Sequence, residues 1–548
     1  MSRSKHRAGG YIVASLALVA IAATPLAGSA AGLANSPFGV KALNTDGSGK
    51  YAIKGLKLGG TQPGTDGGST TDPSTAPSTE PTTPTPTTDP NPLPVISDPT
   101  PNRILLTVDT SLPTCTTKSL GLIVPTTNDI DAATLPAPDA TVNWGDGTSS
   151  KLTTGTNTHP YSGSQKYTVA IEGTLGGLVG GGTSTVSSCV SSFDHFGQAT
   201  GMTNVRALLS NATNVRSVAA LPTTIENASE FLFRVPLFNG DTSTWRLPKL
   251  RKADNMFLGD SAFAGDLSKL DARYLESAGG MFSGAAAFNS DISSWQISKL
   301  KNASSMFDGA KNFNADISKW DVSNITDFSE MFRGAAVFNG NLSSWNTSNV
   351  TTMRNMFNGA KLFNSDLSNW STSKVTSMEG TFSRASAFSG DLSRWNTSNV
   401  STMANMFTSA SKFNSNISGW NTSKVTTMKY MFQSAAVFNQ PIGSWDVLQV
   451  TNFNCMFNGA YLFNQPLASW KTSGGTDMGY MFSSASAFNQ DLSSWNTSSV
   501  FNMDSMFSGA TAMKQPMSNW SVRNVRIYDN FYKSSGLASY QVPSAFRV

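Results

Sequence analysis

Apolar and polar positions recur along the second half of this chain with a period of 25 residues. Tryptophan forms one column from Trp245 to Trp520, with Leu270 in its one missing rung. Phenylalanine runs from Phe257 through Phe357 to Phe507. A second aromatic column includes Phe238, Phe288, Phe363, Phe438 and Phe488 and continues at Met513. Branched aliphatics run from Leu267 to Leu492 and alanine from Ala285 to Ala510. The unit reads V-T-x-M-x-x-M-F-x-G-A-x-x-F-N-x-D-L-S-x-W-N-T-S-x. Side chains this large keep such a period when each unit builds the same coil and stacks on its neighbour, which makes a solenoid.

Within one unit, Val350 to Lys374, the three-four spacing of Met353, Met356, Phe357 and Ala360 predicts a short helix with its apolar face inward. Gly359 suits its end or a close approach. Trp370 and Thr372 share the parity of a short strand, so Ser371 between them points outward. The expected fold class is an α/β repeat solenoid, leucine-rich-repeat-like, with one short parallel strand and one short helix per coil. At about 4.8 Å per coil, twelve coils make a rod on the order of 60 Å long. One coil buries too few apolar groups to offset the entropy of ordering its backbone, so stacking and end caps are required.

The chain upstream divides by composition. Residues 1–31 read as a secretory signal peptide, with Arg3, Lys5 and Arg7 before the apolar run Ile12 to Ala23. Residues 32–60 are Gly-rich, and 61–101 form a Pro/Thr-rich linker that lacks the apolar side chains to fold. Strand-like runs at Ile104 to Val108, Thr141 to Trp144 and Tyr167 to Ile171 mark a small β domain over 102–192. In an exported protein, Cys115 and Cys189 at its two ends predict a disulfide. Residues 193–235 are assigned to an N-terminal cap, 236–530 to the repeats, and 531–548 to a C-terminal cap.

Trp144-Gly145-Asp146-Gly147-Thr148, with His159-Pro160-Tyr161 and Tyr167-Thr168-Val169, resembles polycystic-kidney-disease-type (PKD-like) immunoglobulin sandwiches. Such domains serve as spacers or adhesive modules. The M-F-x-x-A and W-x-T-S signatures over residues 193–530 resemble the bacterial BspA-like leucine-rich-repeat surface proteins. That resemblance implies an exported solenoid, commonly linked to adhesion. Local departures are Gly475 in the Val column, Thr381 in the Met column and Leu270 in the Trp column, where looser packing is expected.

Charge narrows the function. Only 14% of residues are charged and the formal balance is +4, with no basic cluster in the repeats, so no nucleic-acid partner is expected. Beyond the signal segment the histidines are His159 and His195, far apart in sequence and without ligand spacing, so no catalytic triad, metal site or cofactor is expected. Cys455 reads as a buried thiol without a role. The column Asp266, Asp291, Asp316, Asp366, Asp391 and Asp491 gives every carboxyl the same surroundings, which suits turn capping better than acid–base pairing. A calcium ladder is the rival reading, and Asn341, Asn416, Pro441, Pro466 and Pro516 interrupt it. The Asn column after Phe is expected to satisfy backbone groups.

The candidate binding face is the outward row Gln296, Asp321, Asn346, Asn396, Asn421, Asp446, Lys471 and Asn496, flanked by Asn369 and Arg394. Its amides and hydroxyls suit recognition of a protein or glycan through many weak hydrogen bonds. The chain is expected to be a non-enzymatic, exported surface protein of the bacterial envelope, an adhesin or interaction module with an extracellular protein or glycan partner. A structural envelope protein that associates with itself or with the cell wall is the alternative.

Overall fold

The structure is a computed structural model that describes residues 103–130, 132, 134–180, 188–197 and 201–547. The expected signal peptide, Gly-rich segment and linker lie outside the described residues.

The small domain begins with β1 (Arg103–Asp109), β2 (Ser119–Val124), β3 (Asp139–Asn143) and β4 (Ser149–Lys151). It continues through β5 (Gly155–Pro160), β6 (Lys166–Thr174) and β7 (Val190–His195) to β8 (Ser217–Val218). One mixed sheet has the order β4-β3-β6-β1-β7-β8, and β2 pairs with β5 in a second. In β1 and β6, alternation puts Leu106 opposite Val169 and Val108 opposite Tyr167, all buried. The Cys115–Cys189 disulfide forms, tying the loop after β1 to the start of β7 across 74 residues. Closing a loop of that length contributes about 4 kcal/mol. Strand β8 already belongs to the first coil and pairs in parallel with β7. The N–H groups of Leu178 and Gly180 donate to the carbonyls of Asn204 and Arg206 at 3.0 and 2.9 Å, so a backbone ladder passes from the small β domain into the repeats.

The coils carry no α-helix, which corrects the expected α/β class: the described residues hold strands, bridges and turns, with helical structure limited to two single 3-10 turns at Ser539–Gln541 and Ser544–Phe546. The segment read as a helix is a ribbon of overlapping turns. The N–H groups of Met356, Asn358, Ala360 and Phe363 each donate to the carbonyl three residues back. Those of Met353, Asn355, Phe357 and Gly359 donate instead to Ser377, Glu379, Thr381 and Ser383 of the next coil, at 2.7 to 3.1 Å. Asn355 and Gly359 have φ of 53° and 76°, the left-handed backbone that such turns require at their third residue. Spacing by three and four is shared by a helix face and by this ribbon. Stacking decides between them, because equivalent rings of successive coils lie about 6 Å apart (Phe332–Phe357 at 5.7 Å, Trp345–Trp370 at 6.2 Å), whereas a helix with its side chains is about 10–12 Å wide.

The strand position is corrected as well. A column of single parallel bridges runs Thr352, Ser377, Thr402, Thr427 and onward, not through Trp370 and Thr372. Trp370 and Thr372 do point inward, but side chains link the coils there. The indole N–H of Trp370 donates to the carbonyl of Leu342 at 3.0 Å, and the Thr372 hydroxyl donates to that of Asn396 at 3.0 Å. The departures from the consensus are filled. Thr381 is fully buried and donates to the carbonyls of Met353 and Met378, and the Met478 methyl occupies the space beside Gly475.

Candidate binding face

Every residue of the predicted row is exposed: Gln296, Asp321, Asn346, Asn396, Asn421, Asp446, Lys471 and Asn496, and the flanking Asn369 and Arg394. The cause is local. Residues on either side are buried, Trp345 and Thr347 around Asn346 and Trp395 and Thr397 around Asn396, so each outward side chain is held between two anchors. Successive coils place the row at one repeat position, with the exposed Ser371 between Asn346 and Asn396, and with Asn369 and Arg394 in the column beside it.

Much of its hydrogen-bonding capacity is already used. The Oδ1 atoms of Asp321, Asn346, Asn396, Asn421, Asp446 and Asn496 each accept the backbone N–H two residues on, at 3.0 to 3.2 Å. These are Asx turns, and they leave the amide NH₂ groups and the second carboxylate oxygens for a ligand. The signal was in the sequence, since Asn346, Asn396, Asn421 and Asn496 all have serine two residues later. A shallow hollow opens on this face around Gly443, Ser444, Asp446, Leu448, Ser469 and Lys471. There Gly443 supplies no side chain where other coils have serine.

The other columns are structural. Asp266, Asp316, Asp366, Asp391 and Asp491 are exposed and cap their own turns. The backbone N–H of the serine two residues on, and then its hydroxyl, hold their carboxyls below the usual carboxylate range. Asn289, Asn314, Asn339, Asn414, Asn439 and Asn464 form a ladder in which each Oδ1 accepts the N–H of the equivalent residue one coil on, at 2.8 to 2.9 Å. Sequence reasoning missed a further capping column, where Asn302, Asp327, Asn452, Asp477 and Asn502 accept the N–H two residues later. His159 stacks on Trp144 at 4.7 Å and contacts Asp146 at 2.7 Å, while His195 sits on β7 with Nδ1 at 2.9 Å from the Arg103 carbonyl. Burial pushes the Cys455 thiol up to about 11, so it is protonated and a poor nucleophile at neutral pH. Among the described residues no group of three His, Cys, Asp or Glu side chains is placed to hold a metal.

A set of exposed apolar side chains, interrupted by Asn312 and Lys412, also escaped the sequence reading. Leu237, Val337, Leu362 and Leu462 occupy one repeat position, just before the buried second phenylalanine, and Leu362 and Leu462 are 55% and 54% exposed.

The profile of a repeat family described as "Mycoplasma protein of unknown function, DUF285" matches residues 224–343, 311–398, 386–474 and 439–542, together more than half of the chain. No curated protein matches it. A solved structure of a leucine-rich-repeat protein from Leptospira interrogans aligns over 61% of this chain and 88% of its own, with 7% identity and a TM-score of 0.16. A likeness that weak carries no argument.

Proposed function

Because this chain belongs to the DUF285 family of repeat proteins, we propose that it is an exported surface protein of the bacterial envelope whose rod serves as an adhesin or interaction module. Its partner is an extracellular protein or glycan, held along the exposed column from Gln296 to Asn496. The BspA-like repeat signatures and the PKD-like motif of the sandwich support an adhesive surface role. The observation that carries the reading is the column itself, polar groups fixed rung after rung between a buried tryptophan and a buried threonine, valine or isoleucine. Polar side chains at constant spacing, amides at Gln296, Asn346, Asn396, Asn421 and Asn496 among them, suit a repeating ligand, where many weak contacts add along the length.

The second reading, self-association within the envelope, is favoured by exposed apolar side chains at one repeat position, Val337 and Leu362 in adjacent coils and Leu237 and Leu462 further along. One experiment separates the two. Asn396→Arg with Asn421→Arg blocks the polar column, and Leu362→Asp with Leu462→Asp removes those apolar side chains. Attachment of cells to matrix proteins and glycans, lost only in the first pair, is the expected result. Attachment unchanged by the first pair, with oligomers lost in the second, supports the structural role instead.

A further inference from the structure

We propose that the C-terminal edge of the solenoid docks an extended, acidic polypeptide segment of another protein, whose carbonyls complete the ladder left open by the last coil. In the coil before it, the N–H groups of Met503, Ser505, Phe507 and Gly509 donate to the carbonyls of Ile527, Asp529, Phe531 and Lys533 at 2.8 Å. The equivalent donors one coil on belong to Tyr528, Asn530, Tyr532 and Ser534. None of these four has an acceptor among the described residues. Tyr528, Asn530 and Ser534 are exposed and Tyr532 is half-buried, so water reaches the row.

The residues that follow close a different part of this end. Phe546 lies against Tyr528 and Phe531, and the Gly536 N–H returns to the carbonyl of Ala510. They seal the apolar core and leave the donor row open. Next to the row is a cavity lined by Tyr528, Asp529, Asn530, Phe531, Tyr532, Lys533 and Phe546. Nearby, Phe501 and Ile527 are 45% and 44% exposed, at positions where the other coils carry polar or charged residues.

The coils themselves show what covers such a row: main-chain carbonyls at alternate residues of a neighbouring segment. Two copies meeting by this same edge would set donors against donors. The opposite end of a second copy does not fit either, because Leu178 and Gly180 already occupy the carbonyls of Asn204 and Arg206. Charge selects further. From residue 514 onward, Lys514, Arg523, Arg526, Lys533 and Arg547 stand against the carboxylate of Asp529. Unpaired N–H groups add partial positive charge. The occupant is therefore acidic, with backbone carbonyls on the row and an apolar side chain in the Tyr528–Phe546 cavity, in the manner of strand addition.

The full chain is titrated with a short fluorescent peptide alternating Glu and Val, and with its Lys and Val counterpart. Hydrogen exchange read by mass spectrometry follows residues 526–536. The acidic peptide is expected to bind and to slow exchange between Tyr528 and Ser534. Lys533→Glu, an exposed substitution, weakens binding about tenfold or more, while Asn396→Arg on the polar column leaves it unchanged. Binding without slowed exchange, or equal binding of the lysine peptide, overturns the proposal. So does a row already protected without peptide, whether by self-association seen in sedimentation or by another segment of the chain.

Discussion

The two sides of each coil cohere by different means. On the Met–Phe side, backbone meets backbone, as when Phe357 donates to Thr381, and the bond does not depend on which side chains are present. That side accepts Thr381 among the methionines and positive φ at residues as unlike as Glu330, Tyr430 and Arg384. On the Trp–Thr side the linking donors are an indole and a hydroxyl, so identity matters: nine successive tryptophans from Trp295 to Trp495, and Trp520 after them, donate to the aliphatic residue 28 positions earlier at 3.0 to 3.2 Å. One side sets the stacking, and the other makes each rung sequence-specific.

The largest test of this contrast lies where the tolerant side takes a carboxyl. Asp260 is fully buried in the alanine column and accepts the Val235 N–H at 2.6 Å with one oxygen, while its other oxygen has no partner. Burial raises its pKa from 3.8 to about 9, against the smaller opposing effect of that N–H. The folded state then holds a proton that the unfolded chain has released, so stability is full below pH 4 and falls as pH rises toward 9. The slope is about 1.4 kcal/mol per pH unit. Asp260→Ala is expected to flatten the dependence of the urea midpoint on pH, and an unchanged slope breaks the assignment.

Next in size, Trp370→Ala is expected to cost about 3–5 kcal/mol by calorimetry or urea unfolding. Trp370→Phe sharpens the comparison, because it removes the indole bond to the carbonyl of Leu342 and leaves that oxygen with only the Trp345 N–H. The same change at Trp245, whose indole N–H is buried without an acceptor, removes no bond. The two substitutions should differ by about 1 kcal/mol, and equal costs would mean that the indole bond adds no cohesion. Thr372→Val should cost about 1 kcal/mol, a modest loss since Val322 and Val447 occupy that position in other coils. Smallest of all, Tyr430→Asn relieves a bulky residue at φ 60° and should raise stability by about 0.5 kcal/mol; a fall in melting temperature would show that the aromatic ring contributes more than the backbone strain costs.

The repeat period and the inward columns were legible because large apolar residues at fixed spacing have one economical use. The Trp, Phe and Met side chains of those columns proved buried, and the Asp and Asn columns proved to serve backbone groups. The helix was misread because Met353, Met356, Phe357 and Ala360 satisfy two periodicities at once, and nothing within one unit separates them. Asn355 and Gly359, at residues now known to have positive φ, were the available signal, but Glu330, Tyr430 and Arg384 in the same columns obscured it. For the candidate face, exposure could be read from the alternation around Trp370. The commitment of Asn346 and its asparagine equivalents to their own turns left a trace in the serine two residues after each, but the bend that closes the turn is a property of the backbone.

The ladder joins each donor to an acceptor 24 residues on, and that offset is the same from coil to coil. Excising Val350 to Lys374 would bring Val375 after Asn349 and restore equivalent contacts on both sides of the cut. Duplicating the unit would do the same. Reach is thus a quantity that recombination between neighbouring units can lengthen or shorten in whole steps, without inventing a new interface at the junction.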